Sequence, residues 1–337
     1  MKTLASITHK KYLIPLITGA LILALAPQFS SLSTVNLLTR IFILAVYGMS
    51  YDILRGYTGF INLGHALFFG SGAYIAGILL SNLGNTLGVV LLATVVTVVF
   101  SSLCAYLMGK ISLRGKGGVL TATMITMALG EIVRNVAERW RNVTNGADGL
   151  TFRIPDLFRD RVMFYYLAFI FLILMALVLK RFINSPTGKV LLAIRENEQR
   201  AQFLGYNVER YKLIALQVAG ITGGLSGIMF GLFNRFANTD LLNIQQTLNA
   251  LLYTLVGGTG TLYGAIVGSA VVNVIQNVLL SLRSVHPIFE RWLIFFGAMY
   301  VLVVLFMPQG ILGMWMKYKE DKEKKANGRV SLLQKAK

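Results

Sequence analysis

With 55% hydrophobic and only 14% charged residues in 337, the chain is far from the composition of a water-soluble domain, where about a quarter of residues carry charge. Its net charge of +18 does not point to nucleic acid, because the 32 lysines and arginines sit in short stretches between apolar runs rather than on one polar face. The single cysteine, Cys104, excludes an internal disulfide and a thiolate metal centre; His9, His65 and His286 are too scattered for a histidine site, so neither metal nor cofactor is expected.

A helix needs about 20 apolar residues to cross a bilayer core. The first run, Tyr12 to Ala26, follows Lys2, Lys10 and Lys11 and satisfies the pattern of a cleaved signal peptide, but the spans after it favour a retained first span. Further apolar stretches are Leu37 to Leu54, Phe60 to Leu80, Leu87 to Met108, Val119 to Ile132, Val162 to Leu179, Leu213 to Phe233, Leu241 to Val256, Ala265 to Leu282 and Leu293 to Phe306. Two of these, Val119 to Ile132 and Leu241 to Val256, are short enough for half-helices or re-entrant segments. Three basic stretches mark cytoplasmic loops: Lys110 with Arg114 and Lys116, Lys180 to Lys212, and Lys317 to Lys337. Placing all three inside requires both short segments to cross, which gives an all-α polytopic bundle of about ten spans with both termini inside. The connection from Arg134 to Arg161 then faces outward although it carries six arginines, against the usual bias. Residues 1–316 form one membrane domain, with 181–212 a cytoplasmic loop inside it and 317–337 a basic tail.

Three constellations stand out. Gly223, Gly227 and Gly231, and likewise Gly260, Gly264 and Gly268, repeat every four residues and predict smooth helix faces for close packing. The stretch Gly56 to Tyr74 places Asn62, His65, Ser71 and Tyr74 at membrane depth, where they either line a solute path in a broken helix or bond between helices. On the preceding span Arg40 and Asp52, each costly alone in lipid, offer an ion pair within the bundle. Between the spans, Ser185 and Pro186 open a short helix that runs through Val190 to Leu204 and stops at Gly205. Its apolar strip is Val190, Leu191, Ile194, Ala201 and Leu204, and Glu196 sits four residues before Arg200. A helix this short is marginal in water, so it docks on its own spans or on a partner.

Five stretches, in order, resemble the LivM-type permeases of branched-chain amino acid ABC importers: Gly59 to Tyr74, Thr144 to Leu150, Gly188 to Tyr211, Gly257 to Gly268 and Met307 to Gly313. The resemblance implies a multi-pass permease of the cytoplasmic membrane, without enzymatic activity of its own. It would act with a LivH-type permease, cytoplasmic ATPase subunits and an external solute-binding protein. It further implies that Gly188, Ala193, Ile194, Arg195, Glu196, Glu198 and Gly205 belong to the segment that couples to the ATPase. The chain has no Walker A motif, in keeping with hydrolysis on another subunit. The rival reading is an ion-coupled secondary transporter, which needs membrane carboxylates; only Asp52 and Glu131 offer themselves. Branched-chain amino acids, urea and other small polar solutes stay open as cargo.

Overall fold

The computed structural model describes residues 25–113 and 118–282, with residue 23 and positions 294, 295, 297, 298, 301, 305, 310–314 and 318. The expected end spans, Tyr12 to Ala26 and Leu293 to Phe306, fall largely outside these residues. So do nearly all of the tail from Lys317, and Arg114, Lys116, His9 and His286 entirely.

Apart from the single helical turn Arg141–Thr144, the main helices of the described residues are α1 (Leu32–Tyr57), α2 (Ala66–Leu83), α3 (Leu87–Leu113), α4 (Gly118–Arg139), α5 (Arg161–Asn184), α6 (Pro186–Glu196), α7 (Glu198–Phe203), α8 (Val208–Asn234), α9 (Ile244–Gly257) and α10 (Gly264–Ser281). Seven of them, α1 to α5, α8 and α10, are long and apolar enough to cross a membrane, so the chain is a multi-pass helical membrane protein. The two short segments behave differently. Val119 to Ile132 extends into the 22-residue α4, whereas Leu241 to Val256 yields the 14-residue α9. At 1.5 Å per residue α9 is about 21 Å long, less than the roughly 30 Å of a hydrocarbon core.

Helix α1 is the centre of the bundle, buried on every side from Ile41 to Leu54 and packed on α5, α8, α9 and α10. A helix apolar all round needs such enclosure. Helix α8 lies across α2 through its glycine ladder: a methyl group on Gly227 would fall 1.9 Å from the carbonyl oxygen of Phe69, and one on Gly231 3.1 Å from Cα of Ala73. The expected ladder at 260, 264 and 268 is only partly helical. Gly260 precedes α10 with φ +79°, a turn conformation, so the helical face consists of Gly264 and Gly268. Gly268 lets α10 approach α9, since a methyl there would lie 1.9 Å from the carbonyl oxygen of Tyr253.

Two irregular segments enter the bundle from opposite ends. Residues 58–65, the start of the expected span Phe60 to Leu80, turn back from the end of α1 in non-helical backbone before α2 begins. Residues 235–243 descend from the far end through a two-residue strand β2 (Phe236–Ala237), paired antiparallel to β1 (Leu150–Thr151), and a 3-10 turn against Gly70. The helices that follow them, α2 and α9, meet where the amide of Ala66 donates to Thr247 Oγ1 at 2.9 Å. Irregular backbone at membrane depth survives only when protein or a water-lined cavity satisfies it. Here α4 supplies part of that cover: Leu63 N donates to Thr126 Oγ1 at 3.2 Å and Thr123 Oγ1 to the carbonyl of Ile61 at 3.2 Å.

Three of the six arginines between 134 and 161 have partners within the bundle. Arg134 pairs with Glu131 and Glu138, Arg159 with Asp156 at 2.9 Å, and Arg161 donates to the carbonyl of Phe233.

Candidate functional site

The stretches singled out in the sequence converge at the end of the bundle where α1 finishes, α5 runs into α6, and α9 gives way to α10. The Asp52 carboxylate, 1% exposed, accepts hydrogen bonds from the amides of Gly260 at 2.8 Å and Leu262 at 3.0 Å. A buried carboxylate needs such donors, and they hold the turn between α9 and α10 against α1. Arg195 Nη1 donates to the carbonyl of Gly56 and crowds Gly260, where a methyl would lie 2.6 Å from that nitrogen. Gly310 closes the knot from the C-terminal side: a methyl there would sit 2.3 Å from the amide of Gly258. Asp52 therefore does not pair with Arg40. Twelve residues separate them on one straight helix, about 18 Å, and the turn at 260–262 is nearer.

The loop between α5 and α8 is two helices, not one. Ser185 caps α6, accepting from Gly188 N at 3.3 Å with Pro186 at the first position, as the sequence suggests. At Asn197 the backbone is extended (φ −158°, ψ 106°), and its side chain caps α7 by accepting from Arg200 N at 2.8 Å. The break puts Glu196 and Arg200 in different helices, which removes their i,i+4 relation. Glu198 pairs instead with Lys212 at 2.7 Å. Leu191, Ile194 and Ala201 of the expected strip are buried against the bundle, as is Gly188. Leu204, however, is 70% exposed beside Phe203 at 91%, and Gly205 ends the motif with φ +88°. Ala193 and Glu196 face outward, whereas the guanidinium of Arg195 turns inward to the knot.

Asn62, His65, Ser71 and Tyr74 are all packed inside the bundle. Ser50 Oγ donates to the carbonyl of Tyr47 at 2.7 Å, so the His65 Nε2 found 2.8 Å from that hydroxyl is its donor. The imidazole stacks on Tyr47 with centroids 5.3 Å apart and meets Tyr51 and Phe68 edge-on. Asn62 Oδ1 accepts from Gly64 N at 2.9 Å, and Ser71 donates to Phe68 O at 3.0 Å. The Tyr74 hydroxyl has no hydrogen-bond partner among the described residues.

One cluster escaped the sequence reading. On α4, Arg134 reaches Glu131 through Nε at 2.7 Å and Nη2 at 2.5 Å, and Glu138 through Nη1 at 3.0 Å. The signal was available as charges at i, i+3 and i+7 within an apolar run.

Residues 33–304 match the family described as branched-chain amino acid transport system / permease component. The chain is 26% identical to the high-affinity branched-chain amino acid transport system permease protein LivM of Escherichia coli (strain K12), over 93% of this chain and 80% of that protein. It is 23% identical to the ribose import permease protein RbsC of Haemophilus influenzae, over 86% and 90% of the two chains. Against the permease protein LivH of E. coli K12 the identity is 22%, over 80% and 91%. No solved structure matches.

Proposed function

The chain belongs to the branched-chain amino acid transport permease family, and we propose that it is a permease subunit of an ATP-driven importer in the cytoplasmic membrane, carrying branched-chain amino acids inward. In this reading a LivH-type permease completes the membrane part, ATPase subunits bind at the basic end, and an external binding protein delivers the solute. The basic end, with Lys110 tied to Glu209 at 3.4 Å and the loop 181–212 beside it, is cytoplasmic.

The observation that supports this reading best is the two-sided character of α6 and α7. Their inner side is anchored by Leu191, Ile194, Ala201 and Arg195, the last reaching the knot that joins α1 to the turn before α10. Their outer side offers Ala193, Glu196, Phe203 and Leu204 to water. Large apolar side chains this exposed at a polar end of a membrane protein suit a protein partner. A push on that surface passes through Arg195 into the packed core. The ion-coupled alternative is less well served, because Asp52 is engaged by two amides and Glu131 by Arg134.

The test replaces Phe203 and Leu204 together with serine in the co-expressed importer. ATPase co-purification and uptake of labelled leucine should both fall while the membrane level of the chain is unchanged. Wild-type co-purification and uptake would move the coupling surface elsewhere.

A further inference from the structure

Helix α4 buries only one face, Ala122, Thr126, Gly130 and Ala137, against the irregular segment 58–65 and its neighbours. Leu120, Met124, Met127, Glu131, Arg134 and Glu138 follow one another at steps of four, three, four, three and four residues, which sets them on a single stripe away from that face. The stripe is open: Leu120 is 80% exposed, Met124 72% and Met127 42%, and the side chains of Glu131 and Glu138 are each 43% exposed. Glu131 lies eight residues, about 12 Å, from the end of the helix, too deep for a carboxylate to face hydrocarbon without large cost.

Resting on the amino-acid importer reading above, we propose that this stripe is the wall along which solute moves, and that Glu131, Arg134 and Glu138 form a station for the zwitterionic head of an aliphatic α-amino acid.

Three observations carry the assignment. First, a cluster of both signs accepts a zwitterion without any change in its net charge. The solute carboxylate takes over Arg134 while its ammonium takes over Glu131 or Glu138, so the net charge of the cluster does not change as the solute arrives and leaves. A sugar or urea cannot make that exchange, and a simple anion would strand a glutamate. Second, the surroundings are prepared for an ammonium donor. Asp240 lies on the 3-10 turn between β2 and α9, which packs against both α4 and α2, the helices that carry Arg134 and Tyr74. Tyr74 is only 4% exposed, yet its hydroxyl has no partner among the described residues. A buried hydroxyl left unsatisfied is unusual and fits a place where a passing solute or its water supplies the bond. Third, Met127 and Met124 continue the stripe one and two turns from Glu131 toward the basic end. Unbranched, polarisable side chains of that kind adapt to aliphatic groups of different shape.

The experiment uses the assembled importer at matched membrane levels, with labelled leucine as probe. Glu131→Gln and Arg134→Gln, close in size to the residues they replace, should each lower uptake about tenfold or more, the loss expected when one charge-assisted hydrogen bond goes. ATPase co-purification should not change. In parallel, Met127→Cys and Ile132→Cys are made in a Cys104→Ser background, Ile132 lying off the stripe. A charged, membrane-impermeant thiol reagent should modify position 127 and spare position 132, and leucine turnover should alter the rate at 127. Full uptake by both glutamine variants, or equal reactivity at 127 and 132, would overturn the station. A wild-type importer that takes up no leucine would instead overturn the cargo reading, a result separable from the first.

Discussion

Replacing Asp52 with alanine removes the acceptor of two buried amides at once. Gly260 N and Leu262 N point at its two carboxylate oxygens from 2.8 and 3.0 Å, in a region with almost no access to water. A buried donor left without a partner costs about 1–3 kcal/mol, so the pair should cost about 2–6 kcal/mol. Asparagine is the informative comparison. Its carbonyl keeps one of the two bonds and its NH2 group turns toward the other amide, so about 1–3 kcal/mol is expected. Because membrane proteins commonly unfold irreversibly, the quantity to measure is a ranking. The detergent-purified chain is heated over a temperature series and the monodisperse fraction followed by size-exclusion chromatography. The expected order of survival is wild type, then Asp52→Asn, then Asp52→Ala. An alanine variant that survives with the wild type would mean that the turn before α10 is held by something other than this carboxylate, and the account of the knot would fail.

Two further outcomes bear on topology and packing. In a Cys104→Ser background, Gln199→Cys should resist an impermeant thiol reagent applied to intact cells, whereas Asp148→Cys, at the opposite end, should react; the reverse pattern would invert the chain. Gly227→Leu should prevent assembly, since even a methyl at 227 would press within 1.9 Å of Phe69 O, while Gly88→Ala, where a methyl meets nothing nearer than Thr86 Oγ1 at 3.8 Å, should leave the level of folded chain little changed; both are read from membrane expression and co-purification of partners.

Much of this architecture was legible in the sequence because bilayer physics writes it plainly. The apolar runs mark the helices, and the ladder at 223, 227 and 231 marks where α8 meets α2, since lipid gives a helix no other reason to leave one face bare. The Ser185 and Pro186 start of α6 is equally local. Features that depend on backbone direction or on distant partners were not legible. Asn197 falls where a continuous helix would carry a polar surface residue, and nothing nearby signals that it caps a second one. Gly260 keeps the four-residue spacing, yet its positive φ comes from the turn that Asp52 holds 208 residues away in sequence. Arg195 looks outward in a helical projection; its long side chain returns to the carbonyl of Gly56 because the end of α1 offers an acceptor there. The placement of Asn62 and His65 shows the same limit. Their depth was evident, but whether they face a path or a packed interior depends on α1 and α4, and the structure encloses them completely.

The bond between Ala66 N and Thr247 Oγ1 has a consequence for how the chain is made. The amide opens α2 at membrane depth and has no carbonyl one turn back to accept it. Its acceptor lies 181 residues downstream. At about 5–20 residues per second of synthesis, the N-terminal half waits about 10–40 s in the bilayer with that amide unsatisfied. Asp52 waits longer still, since its donors lie 208 and 210 residues on. The early helices must therefore be sheltered, by the insertion machinery or by one another, until the second half arrives. A chain stopped before residue 247 would be left with polar groups exposed to lipid, a mark that membrane quality control is suited to read.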